Sequence, residues 1–401
     1  MVALPAMRRL ILLMSALAFA IAACSTPPSP SATAAVTVYP TATRASTNTP
    51  QPTAASTATP VPASPTATQP AAPTAIPATP TTPQRVASET PYPLPKISLG
   101  NEGVNVVDYG NANIEPLKPL GFGWLQVFNP PDFPIFGFKV LYRVPLGSAI
   151  TGKREDIDAW ADALESLAHD RKGIINAYAI GNEVNLAREW GGKTPDPLLY
   201  TKLLAIGYAR VKTADPDALG ISAGLAPTGG DGQGSMDDLA YAQAMFDAGT
   251  ADVMDGYGFH PYGFASEPER DPADASAKGL LFRRAEAHHK LMEQFGIGNK
   301  QMWATEFGWI IDAKEEGQTC TWPDLDWQRV SRKRQAEYVV RAYDYAAKNW
   351  PWMGPMFLWN YDFSRASQYQ DACEQMKFFS MLDEAGKERP LFAALRMAAS
   401  K

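Results

Sequence analysis

The stretch AIGNEVN, residues 179–185, is a run of small and apolar residues that gives way to a glycine, Asn182 and Glu183. A second stretch, MWATEFGW at residues 302–309, carries Glu306 within a nearly all-apolar run. A carboxylate in an apolar strand costs free energy unless it is paired or takes part in function. A fold that brings the ends of these two distant strands together would explain both glutamates.

Short β-rich runs alternate with longer amphipathic runs from about residue 96 onward. Strands are predicted at 104–109, 122–128, 138–144, 175–183, 218–224, 253–260, 301–307 and 355–361. Helices are predicted at 154–169, 196–213, 236–248, 279–295, 335–347 and 388–399, and only the first two crossovers are short or irregular. Alternating strands and helices form parallel βαβ units. Eight of them predict an α/β protein with a (β/α)8 TIM barrel at residues 96–401.

The alternative is an open doubly wound sheet, which usually carries a glycine-rich phosphate turn after its first strand. Here the first strand ends in VDYGNAN, residues 107–113, which lacks that pattern.

In a barrel, functional residues lie at the C-terminal ends of the strands. Polar or aromatic residues stand at or just after most of these ends: Asp108, Asn129, Arg143, Asn182, Glu183, His260, Tyr262, Glu306, Trp359 and Asn360. Carbohydrate is a good candidate ligand for such a rim, because sugars need hydroxyl partners and flat aromatic faces.

Two carboxylates that face each other across a polar cleft can hydrolyse a glycosidic bond. One is protonated and assists the leaving oxygen, while the other attacks the sugar or activates water. Strands 4 and 7 of an eight-stranded barrel lie across the lumen from each other, so Glu183 and Glu306 can converge above it.

GNEVN at 181–185 and TEFGW at 305–309 resemble the signature of clan A glycoside hydrolases, the "4/7" retaining enzymes with a (β/α)8 barrel. The resemblance implies that Glu183 is the general acid/base and Glu306 the nucleophile. It also implies that Asn182 holds the 2-hydroxyl of the sugar. The architecture matches over most of the predicted domain, but the close matches are confined to the strand ends.

Two further segments carry the same resemblance. GFHPYG at 258–263 is similar to strand 6 of the clan, which implies that Tyr262 bonds the nucleophile and His260 lines the site. FLWNY at 357–361 is similar to strand 8, which implies that Trp359 floors the subsite where the bond breaks. Three other tryptophans lie in loop-like stretches and either stack on sugars or simply pack: Trp190, Trp309 and Trp327.

The chain departs from the clan pattern at strand 2. Some members carry an arginine there, near the nucleophile, whereas strand 2 of this chain ends in FNPPDFP, residues 128–134. Arg143, on strand 3, is the nearest substitute and is a candidate substrate-binding residue. The layout is closest to the cellulase-like and β-xylosidase-like branches, and the sugar stays open.

Both glutamates are present, which favours an enzyme over a binding protein. The resemblance implies a retaining O-glycosyl hydrolase that acts on a β-linked polysaccharide or oligosaccharide. The alternative is a catalytically silent cell-surface barrel that binds carbohydrate.

Other motifs are weaker. GISAG at 220–224 matches the nucleophile elbow, but that motif needs a strand-to-helix turn at its serine, and LAPTGG follows here. GGDGQGS at 229–235 has no lysine after it and does not resemble a phosphate-binding loop. His288 and His289 are adjacent on a helix and point to different faces, so they cannot ligate one metal ion together. No metal, cofactor or, at a net charge of -6, nucleic-acid partner is predicted.

The N-terminus is predicted to be a targeting segment. Arg8 and Arg9 precede an apolar run too short for a stable transmembrane helix, and the run ends at Cys24. Residues 1–23 resemble a bacterial lipoprotein signal, which implies that Cys24 is lipidated; the alternative is an ordinary signal peptide. Residues 24–95 are almost entirely Pro, Thr, Ala and Ser, which predicts a disordered stalk. We therefore expect a monomeric cell-surface lipoprotein of a bacterium, anchored to a membrane by lipid.

The chain has three cysteines. If Cys24 carries lipid, Cys320 and Cys373 remain in an exported, oxidising setting. A disulfide between these two is therefore favoured over two free thiols.

Overall fold

The computed structural model describes residues 93–399, apart from residues 233, 275–278 and 324 and the side chain of Asn111. The predicted signal segment 1–23, the predicted lipidation site Cys24 and the stalk up to residue 92 lie outside the described residues. Those predictions therefore stay predictions.

Eight parallel strands close into a barrel in chain order, with the last strand paired to the first. The strands are Gly103–Asn105 (β1), Trp124–Val127 (β2), Lys139–Val144 (β3), Ala177–Ile180 (β4), Leu219–Ser222 (β5), Gly256–Phe259 (β6), Gln301–Phe307 (β7) and Met353–Leu358 (β8). The predicted (β/α)8 barrel is confirmed, and the open doubly wound sheet is excluded because β1 and β8 pair.

The helices surround the barrel. They are Asn111–Ile114 (α1), Arg154–Asp170 (α2), Pro197–Ala214 (α3), Asp238–Asp247 (α4), Arg284–Gln294 (α5), Arg332–Asn349 (α6) and Pro390–Ala398 (α7). Each of the six predicted helices overlaps one of α2 to α7. The first crossover holds only α1 and a 3-10 turn, and the second, residues 128–138, contains no helix. The expected irregularity of these two crossovers is confirmed.

Local caps explain some of the boundaries. Asp196 accepts hydrogen bonds from the backbone N–H groups of Leu198 and Leu199, at 3.0 and 2.9 Å, and Pro197 opens α3. Both features are typical of a helix start. Ser331 accepts from the N–H of Arg334 at 3.2 Å, so α6 begins three residues before its predicted start.

Several strands end sooner than predicted. The run 104–109 leaves the sheet after Asn105, and the run 175–183 leaves it after Ile180. At the second of these ends, Gly181 has a φ of 87°, a left-handed conformation that takes the chain out of the extended form. The apolar sequence continues beyond the last paired residue because the first residues of each loop are also buried. The predicted strands are therefore too long at these ends.

Side chains of the strands alternate between two cores. Those that point into the lumen form one cluster: Trp124, Leu141, Ala177, Ala179, Ile221, Trp303 and Phe357. Trp124 and Trp303 meet edge to face there, with ring centroids 5.2 Å apart. The outward side chains, such as Val104, Leu125 and Tyr178, pack in a larger core with helix residues. These apolar side chains fill the lumen, and its C-terminal end is therefore where we look for a site.

A third apolar cluster lies among the loops that follow β7 and β8. It includes Trp322, Trp359, Phe363 and Phe378. Cys320 and Cys373 form a disulfide, with Cα atoms 5.4 Å apart, that ties these two loops together. Within the described part of the chain, no helix has the length and apolar character needed to cross a membrane.

Candidate active site

Glu183 is positioned by a tight turn at the end of β4. Gly181 has a φ of 87°, and Glu183 itself has a φ of 41°, which is rare for a residue with a side chain. The backbone N–H of Glu183 donates to the carbonyl of Gly224, after β5, at 2.9 Å. Positive φ values outside glycine cost free energy and persist where the surroundings enforce them. The turn leaves the Glu183 residue only 7% exposed at the barrel mouth.

Glu306 lies next to the last residue of β7 and is 5% exposed. The hydroxyl of Tyr262, in the loop after β6, donates to Oε2 of Glu306 at 2.8 Å. The guanidinium of Arg143, on β3, lies 4.0 Å from Oε1 of the same carboxylate. A donor from the loop after β6 and a cation from β3 therefore contact the β7 carboxylate.

His260 joins the two carboxylates from below. Its Nδ1 lies 3.1 Å from Oε1 of Glu183 and 3.6 Å from Oε2 of Glu306, and its Nε2 lies 3.0 Å from Oγ1 of Thr305. Complete burial lowers the pKa of His260, although the charge of Glu306 acts in the opposite direction. A neutral ring at this place donates from Nδ1 to carboxylate and accepts the Thr305 hydroxyl at Nε2.

The two carboxylates face each other at short range. One oxygen of Glu183, one oxygen of Glu306 and a ring nitrogen of His260 all lie within 4.8 Å of one another. Such a trio can in principle ligate a metal ion. Here Arg143 and Arg188 already place positive charge against the carboxylates, so the pair is compensated without a metal. The arrangement can instead supply one acid and one nucleophile on opposite sides of a bound bond.

Tyr262 is a hydrogen-bond donor in this site. Burial raises the pKa of its phenol well above the usual value, and the neighbouring charge of Glu306 acts in the same direction. The phenol therefore stays protonated and donates a hydrogen bond to Glu306, which orients the carboxylate.

Trp359 follows β8 and lies in the third apolar cluster at 6% exposure. Its ring meets Phe128 edge to face, with centroids 6.0 Å apart, and it meets Phe363 at 4.6 Å. The guanidinium of Arg143 lies over the ring of Phe128, 4.4 Å from its centroid. An aromatic wall thus runs from Trp359 to the cation beside Glu306.

Asn182 is half-buried, directly before Glu183. Its side chain makes no hydrogen bond to any other residue that the structure describes. The neighbouring Asn185, by contrast, is fully buried and bonds both ways to the backbone of Ala226, at 2.8 and 2.9 Å. Asn185 holds the loop, whereas the amide of Asn182 is available to a ligand.

Two further residues of the site, Arg188 and Gly224, were not predicted from the sequence. Arg188, in a 3-10 turn after β4, donates to Oε2 of Glu183, and its side chain is 62% exposed. Gly224 faces Nε2 of His260 and Oγ1 of Thr305 so closely that a Cβ would lie 2.1 and 2.3 Å from them. No pattern marks Arg188 in an irregular loop, and the need for Gly224 appears only when β5, β6 and β7 are assembled.

Some rim candidates have structural roles. Asn360 is fully buried; it donates to the carbonyl of Met376 at 3.0 Å and accepts from Ser380 at 2.5 Å. Asp108 and Asn129 are exposed. The other candidates lie at the barrel mouth: Arg143, Asn182, Glu183, His260, Tyr262, Glu306 and Trp359.

Two of the loop tryptophans are packed. Trp190 and Trp309 are 2% and 1% exposed, and their indole N–H groups donate to the carbonyls of Val184 and Ser266.

Ser222, the serine of GISAG, is also buried, and its hydroxyl accepts a hydrogen bond from the backbone N–H of Gly258 at 2.9 Å. Ser222 thus bonds between strands and is not presented as a nucleophile.

Comparison with known proteins gives structural likeness only. No protein-family description matches the sequence, and no curated protein matches it. Among solved structures, a family 39 glycoside hydrolase from the gut symbiont Bacteroides cellulosilyticus WH2 superposes with a TM-score of 0.53 at 19% identity. The alignment covers 76% of this chain and 64% of that one, so the chain spans less than two thirds of that enzyme.

A glucosidase from Croceicoccus marinus also superposes with a TM-score of 0.53, at 11% identity, over 77% of this chain and 68% of that one. At such identities the likeness establishes a shared fold. It agrees with the closed parallel barrel described above.

Proposed function

We propose that the chain is a retaining glycoside hydrolase that cleaves β-glycosidic bonds of a polysaccharide or oligosaccharide. The observation that carries the proposal is the pair Glu183 and Glu306, whose nearest oxygens lie within 4.8 Å at the mouth of the barrel. Retaining enzymes hold their carboxyl groups about 5–5.5 Å apart, whereas inverting enzymes need roughly 6.5–9.5 Å to admit a water molecule. Nearest oxygens within 4.8 Å leave little room for a water molecule between the carboxyl groups, which supports retention.

Glu306 is the proposed nucleophile. Its oxygen forms a bond to the anomeric carbon as the glycosidic C–O bond breaks, and the product is a covalent glycosyl-enzyme. Tyr262 and Arg143 support this role, because the hydrogen bond and the neighbouring cation hold the carboxylate in one orientation.

Glu183 is the proposed acid/base. It gives a proton to the leaving oxygen in the first step and takes one from the attacking water in the second. We assign to the amide of Asn182 a hydrogen bond to a sugar hydroxyl, and to the ring of Trp359 a contact with the sugar that is cleaved. Arg188 is exposed and forms an ion pair with Glu183. When Glu183 is protonated, the attraction between the two is lost and Arg188 can move away.

We propose further that the enzyme works at the surface of a bacterial cell. Support comes from the N-terminal sequence alone: a basic, apolar segment that ends at Cys24, followed by a Pro- and Thr-rich stretch. A lipid on Cys24 would hold the barrel at a membrane without spanning it.

A substrate screen tests the proposed function. The full-length chain is assayed against aryl β-glycosides and against plant and microbial polysaccharides, in parallel with E306Q and the control E115Q. Glu115 is an exposed glutamate outside the site, with a side chain that is 64% exposed. We expect turnover by the wild type and E115Q and none by E306Q.

Binding of a polysaccharide without turnover by the wild type would favour the silent carbohydrate-binding barrel instead. Unchanged hydrolysis in E306Q would overturn the assignment of the nucleophile.

A further inference from the structure

Phe264 and Trp327 form a stacked aromatic pair on the same face of the barrel as the two glutamates. Their ring centroids are 5.0 Å apart and the planes differ by 26°. The pair joins the loop after β6 to the loop after β7. Trp327 is 53% exposed, although most large aromatic residues of the chain are buried.

The backbone holds Phe264 in an unusual conformation. Its φ is 54°, a region that favours glycine and that is an outlier for a bulky residue. The chain is fixed on both sides of it: the Tyr262 hydroxyl bonds Glu306, and the Ser266 carbonyl accepts the indole N–H of Trp309 at 2.8 Å. Gly263 lies against the Trp309 ring with no room for a Cβ. The anchoring therefore holds the Phe264 ring against Trp327.

The loop that carries Trp327 is anchored as well. The backbone of Ile311 pairs with Val330, and the Arg329 guanidinium bonds Asp312 and Asp326, at 3.2 and 2.6 Å. The Cys320 disulfide holds the middle of the same loop. An exposed indole on a fixed loop loses little conformational entropy when a ligand stacks on it.

We propose that Phe264 and Trp327 form an aromatic platform that binds a second ring of the β-linked polysaccharide, beyond the ring that is cleaved. Phe264 follows Tyr262 by two residues, so its backbone lies within about 7 Å of the residue that bonds Glu306. The C–H face of a sugar carries partial positive charge and an aromatic face partial negative charge, so the two attract. This inference rests on the proposed function, because the ligand is the substrate of the same site.

Affinity electrophoresis tests the platform separately from catalysis. The parent is full-length E306Q, run through native gels that contain mixed-linkage β-glucan, laminarin or xylan. The variants W327A, W327F, F264A and F264G are made in this parent, with F133A as the matched control. Phe133 is 79% exposed and lies in the loop after β2.

We expect at least one polysaccharide to retard the parent and F133A equally. W327A, F264A and F264G should bind it more weakly by roughly two- to tenfold, and W327F should recover most of the loss because it restores a flat ring. F264G should be at least as heat-stable as F264A, because glycine accepts the positive φ. Weaker binding without lower stability separates a role in binding from a role in folding.

Equal retardation of the parent, W327A and F264G in every gel that retards the parent would overturn the platform, and so would a parent that none of the three polysaccharides retards. If the wild type hydrolyses a substrate while these variants bind normally, the platform fails and the proposed function stands. If binding depends on the platform but the wild type hydrolyses nothing, the platform stands and the proposed function fails.

Discussion

The guanidinium of Arg188 donates a hydrogen bond to Oε2 of Glu183, five residues earlier in the same loop. The carboxylate of Glu183 is nearly buried, whereas most of the arginine side chain is in solvent. A cation in contact with a carboxylate favours its ionised form. The proposed general acid therefore has a partner that opposes its protonation.

Removing this partner should change the pH profile. In R188A, the ionised form of Glu183 loses its partner, so the alkaline limb of kcat/KM should move to higher pH. R188K should keep most of the wild-type profile because it keeps the charge, and R154A, which changes a largely exposed arginine on α2, should leave it unchanged. The measurement is kcat/KM from pH 4 to 10, and an alkaline limb that R188A leaves in place would contradict the role of Arg188.

The proposed acid/base predicts a dependence on the leaving group. E183A should lose about 10²- to 10⁴-fold in rate on substrates with poor leaving groups, and much less on aryl glycosides whose leaving groups need no proton. Azide should restore turnover and give a β-glycosyl azide, because it enters the space left by the carboxylate. The assay compares two aryl glycosides of different leaving-group pKa. Equal losses on both would count against Glu183 as the acid.

Gly224 should matter through its lack of a side chain. A Cβ there would lie 2.1 Å from Nε2 of His260 and 2.3 Å from Oγ1 of Thr305, so both must move. Since His260 bonds Glu183, we expect G224A to lower kcat about 10²-fold, the effect of a displacement near 1 Å in a catalytic group. G229A is the control, because a Cβ at Gly229 meets nothing within 4 Å. Equal kcat values for the two variants would contradict this account.

The carboxyl group of Glu102 should make the stability of the fold depend on pH. Burial raises the pKa of its carboxyl group to about 8, although the N–H of Met356 donates to it at 2.7 Å and acts in the opposite direction. The native state then keeps a proton that the unfolded chain releases near pH 4.5. Native stability therefore falls as pH rises from about 4.5 to 8, and the full loss is present above 8.

The variant E102Q carries no such charge and can still accept from Met356. Its melting temperature should exceed that of the wild type by a margin that grows from pH 4 to pH 9, while E115Q should show no such trend. A margin that is the same at both pH values would show that Glu102 titrates normally.

The barrel could be predicted from the sequence because alternating strand and helix periodicities need only local information. Glu183 and Glu306 were found for a similar reason: each is an acid at the end of an apolar run. Arg188 and Gly224 were missed because the first lies in an irregular exposed loop and the second depends on contacts among three strands. The pairing of Phe264 with Trp327 also depends on two separate loops, so sequence spacing could not reveal it.

The central claim is that Glu306 attacks the sugar. The most direct test is to incubate the wild type with a 2-deoxy-2-fluoro aryl glycoside of the sugar that it hydrolyses, and then to map the labelled peptide by mass spectrometry. We expect one fluoroglycosyl group, attached to Glu306 and absent in E306Q. A label on another carboxylate, or an unlabelled enzyme whose first released product has the inverted anomeric configuration, would contradict it.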